Sequence, residues 1–337
     1  MFKYTVPPAW GHVSNYPILC SPTGSAKLRL TMKEQVMKGR VIGGPGWSCK
    51  RVDSFFGTNK WYGIPCSAVE KDGDCLGRIV HDYGYFKPGS YSINAAHANT
   101  SVRYDSMRRR VLVLDGIPWY IKADLKNGFR QFGTHPADWR FQVYCNGRNE
   151  HYIDLACPFG KTNSTLEFCP PVKLFAISAA VRWGESRVCI RPRLSSYVDD
   201  VYGGIPDCDE YKIALDFRNY ICDTGEQLTF VFNKKEHKTP LPARKQVILG
   251  CLYDSANRRM RSSEKKVLKY VSRIDEALSR DVVQVSKIMS LHGNLAFAAN
   301  VAPFGRPFLA ALSNLVSGRR KTQMVRLTAL VKLGLRV

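Results

Sequence analysis

The chain has 337 residues, 45% of them hydrophobic, with a formal charge of +22 and a pI near 9.6. That length can bury one large core or two to three subdomains. A charge so far from neutral argues against an ordinary metabolic enzyme and for a polyanionic partner, nucleic acid ahead of an anionic membrane.

Residues 1 to about 30 are rich in Pro, Gly and Ser with no sustained period, which predicts an irregular arm. Residues 31–40 read as a short helix, and Gly43-Gly44-Pro45-Gly46 as a plain turn, since the Lys-Ser/Thr ending of a Walker loop is missing. A basic, aromatic stretch follows over 47–62, then two apolar runs over 64–69 and 78–82 that predict a strand pair carrying Lys71 and Arg78. Helices are expected over 163–183 and 207–222, and the alternation over 227–232 predicts a strand ending at Lys234 and Lys235. From Ser263 onward, amphipathic stretches separated by Gly293, Gly305 and Gly318 predict a helical end.

Two segments carry chemistry. In Trp119-Tyr120-Ile121-Lys122-Ala123-Asp124-Leu125 an apolar strand ends in an acid, followed by a turn and a helix start. In Tyr197-Val198-Asp199-Asp200, 75 residues later counted from Asp124 to Asp199, two acids sit at a predicted hairpin turn before Val201-Tyr202-Gly203-Gly204. Adjacent carboxylates at a strand junction repel, and Asp is a poor strand former, so the arrangement is costly unless a cation offsets it. Hard Mg²⁺ takes oxygen ligands, and a two-metal phosphoryl-transfer site needs such carboxylates. Asp124, Asp199 and Asp200, with the Leu125 carbonyl, make a ligand set for two Mg²⁺, with Mn²⁺ a possible substitute. The Tyr-Val-Asp-Asp string alone also fits an ordinary solvated turn.

Between these segments stands Cys157-Pro158-Phe159-Gly160-Lys161-Thr162-Asn163-Ser164-Thr165-Leu166-Glu167-Phe168, and after them Val247-Ile248-Leu249-Gly250-Cys251-Leu252-Tyr253. In this order and spacing the motifs resemble those of reverse transcriptases: a first palm motif at Asp124, a template grip at 157–168, the hairpin at Tyr197 to Asp200, and a primer grip at Leu249 and Gly250. Gly293-Asn294-Leu295-Ala296-Phe297-Ala298 and Gly305-Arg306-Pro307-Phe308-Leu309 resemble DIRS-type retrotransposon polymerases in particular. The likeness runs from about Lys33 to Leu312. Thr165 replaces a common Pro, Glu70 another, and Lys161 and Glu167 are unusual neighbours in the grip; none is a metal ligand.

The resemblance implies an α+β, right-hand-like polymerase with fingers, an antiparallel-sheet palm and a helical thumb. Its expected divisions are an arm and start of fingers over 1–62, fingers strands over 63–92, a palm over 93–254 with the template grip at 156–183 and the primer grip at 247–254, and a basic thumb and tail over 255–337. Lys71 and Arg78 are expected to hold a triphosphate, together with Phe159 and Gly160 of the grip. Lys234 or Lys235 is placed to protonate pyrophosphate. Phe129, five residues beyond Asp124, is expected beneath the nucleotide sugar, where an aromatic ring excludes a 2′-hydroxyl; the bland reading is a core Phe. The implied partners are an RNA template, a DNA primer or RNA–DNA duplex, and dNTPs. Two other readings remain: a non-catalytic, domesticated nucleic-acid-binding protein, and an RNA-dependent RNA polymerase, which Phe129 opposes.

Eleven Cys form no Cys-x-x-Cys pair, so reduced thiols and an intracellular, soluble protein are expected. No apolar run reaches the length of a membrane span. From Arg258 to Val337 there are 16 Lys and Arg against 4 acids, a net +12, and no acid follows Asp281, so any RNase H activity is expected in another chain or in sequence outside this one. The concentration of charge predicts phosphate-dominated duplex binding. Affinity should fall with salt at a log–log slope of about −0.9 per phosphate contact, and a binding constant unchanged between 50 and 200 mM salt, roughly the range over which such contacts respond, would refute it.

Overall fold

The computed structural model describes residues 13–58, 60–71, 74–97, 102–146, 149–187 and 190–336. At its centre is a three-stranded antiparallel sheet in which Asp200–Gly204 lies between Ile121–Asp124 and Arg193–Tyr197. Because successive strand residues face opposite ways, the register pairs Lys122 with Tyr202 and Asp124 with Asp200 on one face, and Ala123 with Val201 on the other. The second face carries Ile121, Ala123, Leu194 and Val201 into the largest core, against Phe168, Phe175 and Trp183 of helix Ser164–Glu185 and Phe217 and Ile221 of helix Tyr211–Gln227. The end of the polar face that carries Asp124 and Asp200 is left for the site.

Gly203 and Gly204 follow the two acids for a steric reason. Both hold φ near +155°, and a Cβ on Gly203 would stand 1.9 Å from the Arg193 carbonyl oxygen. Only glycine lets the outer strand approach so closely.

A second antiparallel sheet of Lys245–Ile248, Cys251–Asp254 and Arg259–Ser262 packs Ile248, Cys251 and Tyr253 against Tyr120 and Tyr202 of the central sheet's polar face. Its first hairpin turns on Leu249 and Gly250, both at positive φ, as a two-residue connection requires. The chain then becomes helical, in Glu264–Leu278, Val285–Ala298, Arg306–Val316 and Ala329–Arg336, around a separate apolar core. A two-stranded ribbon, Val282–Gln284 with Met324–Arg326, ties the two ends of this bundle.

On the amino-terminal side, Cys66–Lys71 and Asp74–His81 form the expected antiparallel pair. The arm expected to be irregular through residue 30 is instead helical from Pro17: Pro17–Cys20 leads into Pro22–Met37, and the helix expected only over 31–40 is the second half of this one. Ser21 caps it by accepting from the Gly24 N–H, and Pro22 stands in the first turn, where its missing donor costs nothing. Few of its residues fall on one apolar stripe, so periodicity was silent; Gly24, Leu28 and Met32 face inward, and a Cβ on Gly24 would meet the Ile18 carbonyl oxygen at 2.0 Å. The segment 1–12 lies outside the described residues.

The strand expected over 227–232 does not form. Helix Tyr211–Gln227 runs through its first residue, Thr229 takes a left-handed φ of 66°, and only Phe232 makes a bridge, to Leu125. The alternating aromatics serve the helix end: Phe230 and Phe232 fold back onto Gly225, where a Cβ would lie 2.4 Å from the Phe232 ring.

Gly203→Ala is expected to destabilise the fold by about 2–4 kcal/mol, because backbone, not a flexible side-chain tip, occupies the space. Chemical denaturation of the purified variant measures it.

Candidate active site

The three acids predicted from the sequence come together at one end of the polar face. Asp124 closes its strand directly opposite Asp200, and the Leu125 N–H donates to the Asp199 carbonyl at 2.8 Å, which ties the two strand ends. The hairpin turn is Val198-Asp199, with Val198 at φ 53°, a left-handed conformation that a β-branched residue resists at a cost of about 1–3 kcal/mol. That strain fixes Asp199 beside Asp124. The Leu125 side chain itself is core.

Burial and like charge govern the cluster. The Asp199 carboxyl is raised above the usual carboxylate range, first by burial and then by Asp124, against its own backbone N–H, Lys238 and Lys122. Asp200 is raised by burial, with Lys122 opposing and both neighbouring acids adding to it. Two lysines that sequence reasoning did not assign to the site offset the charge. Lys238 Nζ is 3.2 Å from Asp124 Oδ1 and Lys122 Nζ 3.4 Å from Asp200 Oδ1. Asn233 adds a 3.3 Å hydrogen bond to the other oxygen of Asp124. Asp200 Oδ1 is buried and receives no hydrogen bond, only the longer ionic contact. Lys122 was legible in principle, since it lies two residues before Asp124 and so on the same face; Lys238 depended on the course of the loop.

The lysines singled out in the sequence make other contacts. Lys234 Nζ stands 3.7 Å from Glu226 and is highly exposed, and the Lys235 N–H donates to the Asn233 side chain. Among the described residues, no three His, Cys, Asp or Glu side chains gather tightly enough to enclose one metal ion. Asp124 and Asp200 each pair with one lysine instead.

Phe129 is half-buried. Its ring lies 4.7 Å from Phe168 of the core and meets Phe159 edge-on at 5.3 Å. Phe159 in turn carries the exposed Arg78 guanidinium 5.6 Å over its face. Arg78, Phe159 and Phe129 thus form one continuous stack. Gly160, at φ 96°, comes so close to the His81 carbonyl that a Cβ would lie 2.7 Å away, and its own carbonyl accepts from Asn94. The two unusual residues of this segment compensate each other: buried Lys161 lies 3.6 Å from Glu167 and 3.4 Å from Asp138. Lys71 ends its strand, but its side chain lies outside the described residues. At the other hairpin, Gly250 faces Lys266, whose Nζ sits 3.5 Å over the Phe297 ring.

No protein-family model matches the chain. No curated protein matches it. Solved structures do. The foamy viral protease-reverse transcriptase dRH bound to double-stranded DNA superposes with a TM-score of 0.68 at 16% identity, covering 99% of this chain and 50% of that one. The foamy viral enzyme with an RNA/DNA hybrid gives 0.64 at 15%, covering 99% and 38%, and with double-stranded DNA 0.64 at 15%, covering 98% and 61%. The fold is that of a reverse transcriptase. This chain spans between 38% and 61% of the length of those three relatives.

Raised carboxyls make a pH prediction. A group whose folded pKa is raised favours folding while protonated and loses that advantage as pH rises through its folded value. Asp199→Asn is therefore expected to raise the melting temperature of metal-free protein at neutral pH. The gain should vanish toward about pH 4, the unfolded carboxyl's own range. A melting curve series over pH checks both.

Proposed function

We propose that this protein is an RNA-directed DNA polymerase, a nucleotidyltransferase that copies a retroelement template, of the DIRS-type kind its motifs resemble. The observation that carries the reading is the meeting of Asp124, Asp199 and Asp200 on one face of the palm sheet, two of them with raised carboxyls. Their hard oxygen donors, and the buried Asp200 Oδ1 with no hydrogen bond, suit Mg²⁺ or Mn²⁺. Asp124, Asp199, Asp200 and the Leu125 carbonyl would hold the two ions. When bound, they lower the pKa of the primer 3′-hydroxyl and neutralise the pyrophosphate that leaves.

The rest is positioning by this chain's residues. Arg78, braced on Phe159, takes the triphosphate with a bidentate guanidinium, and Lys71 stands on the same strand pair. Lys238, with its Nζ 3.2 Å from Asp124, would offer its ammonium to the departing pyrophosphate. Phe129, wedged between Phe159 and Phe168, cannot swing away from a sugar placed over it, so a 2′-hydroxyl meets a fixed ring. The primer strand runs past Leu249 and Gly250, and the basic thumb holds the duplex by its phosphates, as a polymerase indifferent to sequence requires.

One observation favours the domesticated, non-catalytic reading. Lys238 and Lys122 already offset the acids, so the cluster is tolerable as a structural network. Primer extension on an RNA template separates the readings. Wild type is expected to extend with dNTPs in Mg²⁺, and Asp199→Asn to abolish extension while keeping duplex affinity. Duplex binding without extension in either Mg²⁺ or Mn²⁺ would give the protein to the domesticated reading.

Sugar selection is tested in the same assay. Phe129→Val is expected to raise ribonucleotide incorporation by about two powers of ten, with dNTP use much less affected, since a repulsion of a few kcal/mol is removed. If both substrates fail together and the variant melts lower, Phe129 is a core residue only, and RNA synthesis returns as the alternative.

A further inference from the structure

Beside the turn that follows Asp124 is a cleft of about 280 Å³ between the end of helix Pro22–Met37 and the loop at 229–231, with Lys38, Arg40, Arg130, Phe132 and Thr229 among its walls. No acidic side chain lines it. Two of its three cations have partners. Arg130 is buried, donates to Asp154 at 2.5 Å and reaches Gln35 at 3.2 Å, while Lys38 pairs with Glu34. Arg40 has none: among the described residues its half-buried guanidinium makes no ion pair and no side-chain hydrogen bond. The acids that act on it from a distance, Glu34 and Asp154, are the ones Lys38 and Arg130 already hold. Burial and repulsion by Arg130 both act against its charge.

A half-buried cation beside another cation, without a counter-ion, is an arrangement that costs free energy unless something anionic completes it. The walls do not collapse to relieve it. Gln131 bonds the Lys126 carbonyl and both the N–H and the carbonyl of Val231, and Lys126 N–H donates to the same carbonyl, so the turn and the loop are stapled together. The volume sits just under the roughly 300–1,000 Å³ of pockets for drug-sized ligands, which suits a short chain of phosphates better than a whole nucleotide. A guanidinium fork matches phosphate oxygens in pairs.

We propose that this cleft is an anion site in which Arg40, with Lys38 at its rim, binds phosphate groups, either of a free diphosphate or triphosphate or of a nucleic-acid strand. It lies outside the acid cluster and does not depend on the polymerase reading.

Titration calorimetry at low salt, with EDTA to keep divalent ions from the acids, tests it with inorganic pyrophosphate and, separately, with a short single-stranded oligonucleotide lacking terminal phosphates. Wild type, Arg40→Gln, Arg40→Lys and, as a control for the nucleotide side, Arg78→Gln are compared. Arg40→Gln is expected to weaken pyrophosphate at least about tenfold and Arg40→Lys less, because Lys keeps the charge and loses the fork. A loss seen only with the oligonucleotide also upholds the site and makes a strand backbone its ligand. Both probes binding Arg40→Gln as they bind wild type, or pyrophosphate affinity lost in Arg78→Gln alone, would overturn the proposal. Unliganded Arg40→Gln should melt no lower than wild type, since it sheds a repulsion and no partner; should it melt lower, Arg40→Lys carries the same comparison.

Discussion

Everything at the active end of this molecule depends on one strand register. Pairing Ile121–Asp124 with Asp200–Gly204 so that Asp124 meets Asp200 puts acids from distant parts of the chain side by side on the face that is not core. A slip of one residue would turn Ala123 and Val201 to that face and bury the acids among Phe168 and Trp183. The apolar face therefore holds the polar one in place. Gly203 and the strained Val198 are the local consequences, one allowing the outer strand to close and the other aiming Asp199.

Such a register stores unfavourable electrostatics, and the surroundings show how it is tolerated. Lys122 comes from the same strand as Asp124, while Lys238 arrives from a loop stapled to that strand by the Asn233 N–H to the Asp124 carbonyl and by Thr239 to the Asp124 N–H. The acids are thus offset from two sides, by a lysine on the sheet and a lysine on a loop fixed to it.

Away from the acids, aromatic contact takes over from charge. Phe168 of the core, Phe129 after the first acid, Phe159 and Arg78 touch in sequence, so the core beneath the central sheet is continuous with the strand Asp74–His81. Farther back, buried Arg130 and Asp154 bind the turn after Asp124 to the sheet of Val41–Gly43, Val143–Cys145 and His151–Asp154. Breaking a buried pair of this kind leaves a lone charge inside, at about 3–5 kcal/mol.

What the sequence by itself determined is the set of strongly patterned elements and their chemistry: the acids at two strand ends, the long helix Ser164–Glu185, the strand pair before His81 and the basic helical end. These are local statements, readable because period, turn residues and charge agree at each place. Tertiary structure decided the rest. Helix Pro22–Met37 exists because Leu28 and Met32 find a core that its own pattern does not announce, and the aromatics over 227–232 fold onto Gly225 instead of pairing as a strand. Which lysine reaches Asp124 was likewise undecidable along the chain: Lys234, Lys235 and Lys238 are equivalent as sequence, and only the path of the loop brings Lys238 to 3.2 Å. Contacts between residues far apart in sequence depend on the packed fold, and no local pattern encodes them.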